Sequence, residues 1–315
     1  MTRIFDGHCD TGSLLCKGKE LYKNDLHLDI SRMKRLEKYI QVFAAYTDVT
    51  EINTTPMEHC LSILKKLRWE IERNSGDITL IDSKESLDEV INGEKNGGIL
   101  AIEGGEALRG EISALKMYYG MGVRLITLTW NHANEIADGI GESRGGGLTE
   151  FGREVVSAME DMGILIDVSH LSVKGFWDVV ECTKHPFCAS HSCVKELCNH
   201  PRNLDNDQIS AMIERDCVIG VNFYPLFLND GEASMDDVIR HIEYIVGMGG
   251  ENCVGLGSDF DGVDFLPQSI TGAESMPSVA DALINRGFSA KQTNKILFDN
   301  FYRLFYKTIT KSGRK

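Results

Sequence analysis

The sequence lacks the patterns that mark several common classes of protein. None of its nine cysteines forms a C-x-x-C pair, which excludes a zinc ribbon or a thioredoxin-type redox site. No apolar run approaches the roughly 18 residues of a membrane-spanning helix, and no basic segment followed by an apolar one begins the chain. The odd number of cysteines is typical of free thiols in a reducing compartment. We therefore expect a cytoplasmic protein.

Positive charge is also scarce. The chain has 33 Lys and Arg residues against 47 Asp and Glu residues, giving a formal net charge of -14 at pH 7. Binding to nucleic acid or to an anionic membrane depends on clustered Lys and Arg. The one basic stretch of note, residues 307–315, is typical of a solvated tail. Neither nucleic acid nor a membrane is therefore expected as a partner.

Loops that bind nucleotide phosphates are missing as well. The GxGxxG pattern starts at Gly255 and Gly257 but is broken by the Ser-Asp-Phe that follows, and no GxxxxGK[ST] loop occurs. A doubly wound parallel sheet, the fold that usually carries such loops, is therefore the less favoured of two α/β folds for this chain.

The pattern that is present is an alternation of short apolar runs with longer amphipathic segments, which is typical of successive β-α units. It predicts an α/β protein with a (β/α)8 TIM barrel. The predicted strands are 3–9, 40–46, 98–102, 123–129, 164–168, 187–190, 218–223 and 254–257, and the predicted helices include 57–73, 106–120, 149–162, 205–215 and 235–248. Since no linker divides the chain, we expect one catalytic domain over residues 1–315, with helices within 279–310 covering the barrel.

Imidazole and carboxylate side chains end five of these eight strands. In chain order they are His8 and Asp10, Glu103, His170, His191 and Asp259. Because the carboxyl ends of all strands of a parallel barrel meet at one face, these side chains should converge. Three histidines together with carboxylates are the ligands of a divalent-metal site.

The spacing of the ligands supports this interpretation. His8 and Asp10 are two residues apart, so both point to the same side of an extended strand. Glu103 precedes two glycines and could bridge two cations through its two oxygens. Taken alone, each has a simpler explanation, because His-x-Asp pairs arise by chance and a carboxylate before a helix can interact with its dipole. Their common position at strand ends favours the metal site.

These residues carry a resemblance that runs in order over nearly the whole chain. The matching segments are Asp6-Gly7-His8-x-Asp10, Glu103-Gly104-Gly105, Ile166-Asp167-Val168-Ser169-His170, Ser190-His191-Ser192, Arg202-Asn203 and Gly257-x-Asp259-Phe260-Asp261-Gly262. Together they resemble the membrane (renal-type) dipeptidase family, a branch of the metal-dependent amidohydrolase-like barrels. The resemblance implies a zinc metallopeptidase that hydrolyses dipeptides with broad specificity, including D-residues at the C-terminal position.

The resemblance also implies a role for each matching residue. Two Zn²⁺ ions per chain would be held by His8 and Asp10 on one side and by His170 and His191 on the other, with Glu103 bridging them. Arg202 would bind the carboxylate of a small dipeptide substrate, since guanidinium and carboxylate form a bidentate pair. Asp259 would handle the proton of the attacking water, while Asp261 is the less favoured carboxylate for that role.

One departure from the family leaves a role open. Mammalian members have an oxyanion-stabilising histidine directly after the Leu-Thr-Leu-Thr strand, and Trp130 occupies that position here. His132, two residues later, is either its substitute or an ordinary loop histidine.

Two other functions remain as alternatives. One is a sister amidohydrolase acting on N-acyl amino acids or lactones, and the other is a non-catalytic metal-binding barrel. The absence of a lysine at a strand end counts against the first, and the complete ligand set counts against the second. A homodimer remains open beside a monomer.

Overall fold

The computed structural model describes residues 2–47 and 54–310. Nine parallel strands form its sheet, and eight of them close into a barrel in the order β2-β1-β9-β8-β7-β6-β5-β4, with β2 also paired to β4. The strands are β1 Arg3–Cys9, β2 Lys38–Tyr46, β3 Ile78–Leu80, β4 Asn96–Glu103, β5 Val123–Thr127, β6 Leu165–Asp167, β7 Cys188–Ala189, β8 Val218–Val221 and β9 Val254–Leu256. The (β/α)8 barrel predicted from the sequence is therefore confirmed.

Helices surround this barrel. They are α1 Thr11–Leu15, α2 Ile30–Met33, α3 Pro56–Arg73, α4 Lys84–Asn92, α5 Ile112–Gly120, α6 Glu150–Met162, α7 Val173–Cys182, α8 Asn206–Glu214, α9 Pro225–Leu228, α10 Met235–Gly247, α11 Met276–Asn285, α12 Ala290–Asn294 and α13 Asn300–Ile309. Short 3-10 turns cover Gly105–Leu108 and Ala273–Ser275, and a π-helical segment, Lys295–Asp299, joins α12 to α13. Within residues 2–47 and 54–310, no helix combines the length and apolar character needed to cross a membrane.

Two elements differ from the sequence prediction. Strand β3 was not predicted; its three residues pair with the start of β4 outside the closed barrel. The predicted helix 106–120 is broken into a 3-10 turn and α5, because Arg109 and Gly110 both have positive φ, 53° and 68°. Left-handed backbone at two consecutive residues cannot continue a right-handed helix.

Aromatic side chains of the C-terminal helices close the barrel interior at the end opposite the strand carboxyl ends. The ring of Phe5 in β1 stacks on Phe301 and Phe305 of α13 at centroid distances of 5.6 and 5.2 Å. A Cβ at Gly7 would lie 2.7 Å from the Phe301 ring, so that close approach requires a glycine. The other end of the barrel is thereby left to polar residues.

Candidate metal centre

All five predicted metal ligands lie together at the carboxyl ends of the strands. His8 is in β1, and Asp10 is the first residue after that strand. Glu103 is the last residue of β4. His170 lies shortly after β6, and His191 shortly after β7. Each is at most 8% exposed. The barrel thus gathers residues up to 183 positions apart in the chain into one buried cluster.

Glu103 lies between two groups of ligands. Its Oε2 is 3.5 Å from His8 Nε2. Its Oε1 is 3.1 Å from His170 Nε2 and 3.3 Å from His191 Nε2. One carboxylate oxygen therefore faces each group, which is the arrangement that a bridging ligand needs.

The His8 side of the cluster is rich in carboxylates. His8 Nε2 is 3.3 Å from Asp10 Oδ2 and 3.9 Å from Asp259 Oδ1. Ligand atoms of His8, Asp10 and Asp259 all lie within 4.8 Å of one another, and the same holds for His8, Glu103 and His191. Both sets consist of imidazole nitrogen and carboxylate oxygen, which are donors that zinc and similar divalent ions accept.

Electrostatics in this cluster also suit a cation. Burial and the negative charge of Glu103 raise the pKa of Asp10 to about 7. Burial and the charge of Arg202 lower the pKa of His170 to about 4, and burial lowers the pKa of His191 as well. A neutral imidazole is the form that binds a metal, which suits His170 and His191. Against the effect of burial, Glu103 and Asp10 raise the pKa of His8, and a cation bound there would take the place of its proton and relieve the repulsion between the carboxylates. The residues present therefore fit a divalent-metal centre.

The orientation of His170 and His191 is set by residues to which the sequence analysis gave no role. His170 Nδ1 is hydrogen-bonded to Asn131 Oδ1 at 2.8 Å, and His191 Nδ1 to Ser190 Oγ at 2.7 Å. Ser190 in turn donates to Asp167. Such contacts at the far nitrogen orient a ligating imidazole. Asp167 and Ser190 lie in segments that carry the family resemblance, whereas Asn131 left no signal in the sequence.

His170 itself is held in an uncommon conformation by a glycine-rich segment, residues 138–147, called the glycine strap below. The φ of His170 is 67°, and its carbonyl accepts a 2.7 Å hydrogen bond from Ile140 N of the strap. Gly141 N likewise donates to Asn131 O at 2.8 Å. Positive φ in a residue other than glycine is uncommon and is a feature of functional sites. The strap therefore fixes the backbone on both sides of the His170–Asn131 pair.

Asp259 and Asp261 are separated clearly by their contacts. Asp259 Oδ2 accepts a 2.9 Å hydrogen bond from Asn222, which leaves Oδ1 facing the metal ligands. Asp261 uses both oxygens elsewhere, accepting from Thr11 Oγ1 at 2.6 Å and from His27 N at 2.7 Å. Asp259 is thus placed for chemistry, while Asp261 ties together two loops.

Arg202 lies in a cavity of about 560 Å³ that opens onto Glu103, His170 and Asp259. Its side chain is buried, and within residues 2–47 and 54–310 it donates one hydrogen bond, from Nη2 to the carbonyl of His191 at 3.3 Å. Among the described residues Nε has no partner, and the carboxylates of Glu103 and Asp259 act on this guanidinium from beyond ion-pair distance. A buried guanidinium without an anionic partner is costly, so the site is suited to an anion from outside the chain.

The segment after β5 bears on the oxyanion role that the sequence left open between Trp130 and His132. Trp130 and Asn131 line the cavity, and the Trp130 ring lies 5.3 Å from that of Tyr46. The His132 side chain is 53% exposed and lies 3.7 Å from Glu142. His132 therefore does not reach the ligand cluster.

Comparison with known protein families gives a match over nearly the whole chain. The family model described as membrane dipeptidase, peptidase family M19, matches residues 1–314. The chain belongs to this family.

Two relatives and a solved structure are similar to most of this chain. A protein of Klebsiella pneumoniae, described as an uncharacterized protein in the pqqA 5' region, is 32% identical over 255 residues, covering 78% of this chain and 93% of its own. An uncharacterized dipeptidase of Schizosaccharomyces pombe is 29% identical over 303 residues, 90% of this chain and 72% of its own. The metallo peptidase of Rhodobacter sphaeroides, solved with a phosphinate mimic of the dipeptide L-Ala-D-Ala, has 26% identity and a TM-score of 0.88, covering 97% of this chain and 99% of that one.

Proposed function

We propose that this protein is a dipeptidase that uses two zinc ions per chain, held by His8 and Asp10 on one side, by His170 and His191 on the other, and bridged by Glu103. The observation that carries the proposal is the buried Arg202, whose Nε has no hydrogen-bond partner in the described chain and which shares a cavity with Glu103. A dipeptide has a carboxylate at a fixed distance from its one peptide bond. A dipeptide with an amidated C-terminus has the same peptide bond without that carboxylate.

The reaction follows from the parts of the site. The bound zinc ions would supply a hydroxide nucleophile at neutral pH and polarise the scissile carbonyl. Arg202 pairs with the substrate carboxylate and so orients the peptide bond toward Glu103. Asp259, held by Asn222, takes the proton of the attacking water and passes it to the leaving amine.

The aromatic lining of the cavity is consistent with broad specificity for the side chains of the dipeptide. Tyr46, Trp130, Tyr224 and Phe227 line it beside Arg202, and their rings offer broad apolar surface next to the polar groups of the site. Such surface discriminates weakly between apolar side chains. The Rhodobacter sphaeroides relative was solved with a mimic of L-Ala-D-Ala, and we extend acceptance of a C-terminal D-residue to this chain.

Arg202 gives the test of the proposal. In the wild-type protein, a dipeptide with an amidated C-terminus should be a poor substrate compared with the free dipeptide. Arg202→Ala should lower kcat/KM for the free dipeptide by roughly 30- to 1000-fold, the effect of about 2–4 kcal/mol from a buried charge left without its partner. The weak rate on the amide should barely change. Arg202→Lys should restore little, because an ammonium lacks the planar fork.

The outcome distinguishes dipeptidase from the alternatives. The assay is run on purified protein with measured metal content, expected at about two zinc ions per chain. Equal proportional losses on both substrates would show that Arg202 is structural. Turnover of N-acyl amino acids or lactones in preference to dipeptides would favour a sister amidohydrolase, and bound metal without turnover would favour a non-catalytic barrel. A cytoplasmic location and a homodimer remain predictions.

A further inference from the structure

His191 contacts a buried chain of hydrogen bonds behind the ligand cluster. Its Nδ1 lies 2.7 Å from Ser190 Oγ, and Ser190 Oγ donates to Asp167 Oδ2 at 2.5 Å. All three side chains are at most 1% exposed. Water therefore has no access that could replace one of these contacts.

Asp167 acts only as an acceptor in this chain. Its Oδ2 also receives a 2.6 Å hydrogen bond from Thr127 Oγ1, and its Oδ1 receives the backbone N–H groups of Ser169 and Ser190 at 3.0 and 2.8 Å. A carboxylate that accepts four hydrogen bonds has no proton to give. The single hydroxyl proton of Ser190 is therefore directed at Asp167.

This direction determines the proton on His191. Because the Ser190 proton points to Asp167, the contact with His191 requires Ser190 to accept, and Nδ1 must carry the proton. The lone pair of His191 is then at Nε2, the atom that lies 3.3 Å from Glu103 Oε1. We propose that Asp167 is a positioning residue that acts through Ser190 to keep His191 in its metal-binding tautomer. The inference rests on the proposed metal site and adds a residue outside it.

The other histidines show that this relay is specific to His191. His170 Nδ1 contacts a neutral amide, that of Asn131, and His8 Nδ1 is buried without a partner among the described residues. Neither contact includes a group with a hydroxyl proton that could turn toward the ring. His191 alone of the three therefore has, among the described residues, a hydroxyl neighbour whose proton can turn toward the ring without movement of a heavier atom.

The chain contains a matched control for the relay. Asp6 accepts from Ser258 as Asp167 does from Ser190, with Oδ1 receiving the serine N–H at 2.8 Å and Oδ2 the serine hydroxyl. The residue after Ser258 is Asp259, which has no tautomers. Removal of this second pair should affect packing and hydrogen bonding in a similar way, without a change of imidazole tautomer.

The test is a double-mutant cycle read by zinc affinity, measured by competition with a chelator. Asp167→Ala frees the Ser190 proton to turn toward His191 Nδ1, which moves the imidazole proton to Nε2 and blocks that ligand. Zinc affinity should fall by roughly 10- to 100-fold, the usual effect of losing such a partner. Adding Ser190→Ala removes the competing donor, so the double variant should bind zinc more tightly than Asp167→Ala.

The control cycle uses Asp6→Ala with and without Ser258→Ala, for which no recovery of zinc affinity is expected. Imidazole nitrogen shifts in the metal-free variants, measured by NMR on folded protein, should show His191 protonated at Nε2 in Asp167→Ala only. A double variant that binds zinc no better than Asp167→Ala, or an equal recovery in the Asp6 cycle, would overturn the relay. Failure of wild-type protein to bind zinc would instead overturn the proposed function.

Discussion

Asp259 and Asp261 lie two residues apart after β9, yet their carboxylates have different partners. Both have positive φ, 60° and 68°, but only Asp259 has an oxygen facing His8. Asp259→Asn should leave zinc content near normal and lower kcat by roughly a hundredfold or more, since it removes the group that transfers the proton. Zinc analysis and steady-state kinetics on the same preparation measure the two effects separately.

The control for that variant is Asp261→Asn. Asp261 joins Thr11 and the His27 backbone across the mouth of the barrel, so its loss should lower the melting temperature more than the turnover. If Asp261→Asn abolished turnover at full zinc content and Asp259→Asn did not, the proton-transfer role would belong to Asp261.

A second contrast lies in the segment after β5. Asn131→Ala removes the acceptor from His170 Nδ1, and we expect zinc affinity to fall by roughly 10-fold or more. His132→Ala changes an exposed side chain near Glu142, and both zinc affinity and kcat/KM should stay within a few-fold of wild type. A large loss of kcat/KM in His132→Ala would contradict the position found here.

Part of the site could be predicted from the sequence and part could not. His8, Asp10 and Glu103 could be found because each ends an apolar strand, and the barrel brings all strand ends together. Asn131 and Asn222 could not, because their partners lie 39 and 37 residues away on other loops. Contacts between loops depend on the packed backbone and leave no periodic pattern in the chain.

Among the elements, strand ends were predictable to within a few residues and the connections were not. The apolar run ending at Ile102 predicted β4, although the strand continues through Glu103. Strand β3 was missed because it is marginal: it pairs with the start of β4 outside the closed barrel, and only Ile78 of its three residues is buried. The break in the predicted helix 106–120 depends on two residues with positive φ, and only Gly110 was a visible signal.

The glycine strap is the element whose geometry most directly supports the site. A Cβ at Gly139 would lie 2.1 Å from the Trp130 carbonyl oxygen, so Gly139→Ala must lift the strap away from the strand end. We expect the hydrogen bond from Ile140 to His170 to be lost and zinc affinity to fall. Gly76→Ala, where a Cβ meets nothing within 4 Å, is the control and should change neither affinity nor melting temperature. Equal zinc affinity in both variants would show that the strap does not support His170.

At the scale of the whole molecule, one end of the barrel holds the candidate metal site and the other end holds apolar packing. One end gathers the carboxylates and imidazoles of the site, and the other is closed by α13 against Phe5. Buried like charges oppose folding, while apolar contacts at the closed end favour it. Stability and chemistry should therefore be separable by mutation.

Phe305 tests that separation. It is fully buried and stacks on Phe5 at the end far from Glu103, so Phe305→Ala should cost about 3–5 kcal/mol of unfolding free energy, the usual loss for an aromatic truncated in a core. Ile284→Ala, at a side chain that is 51% exposed, should cost well under about 1 kcal/mol. Below the melting temperature, kcat/KM and zinc content of the Phe305 variant should match those of wild type, because that ring packs on Phe5 at the end of the barrel opposite the metal ligands. Denaturant unfolding and kinetics at 25 °C measure the two quantities. A loss of zinc from folded Phe305→Ala would mean that packing at the closed end also holds the metal ligands in place.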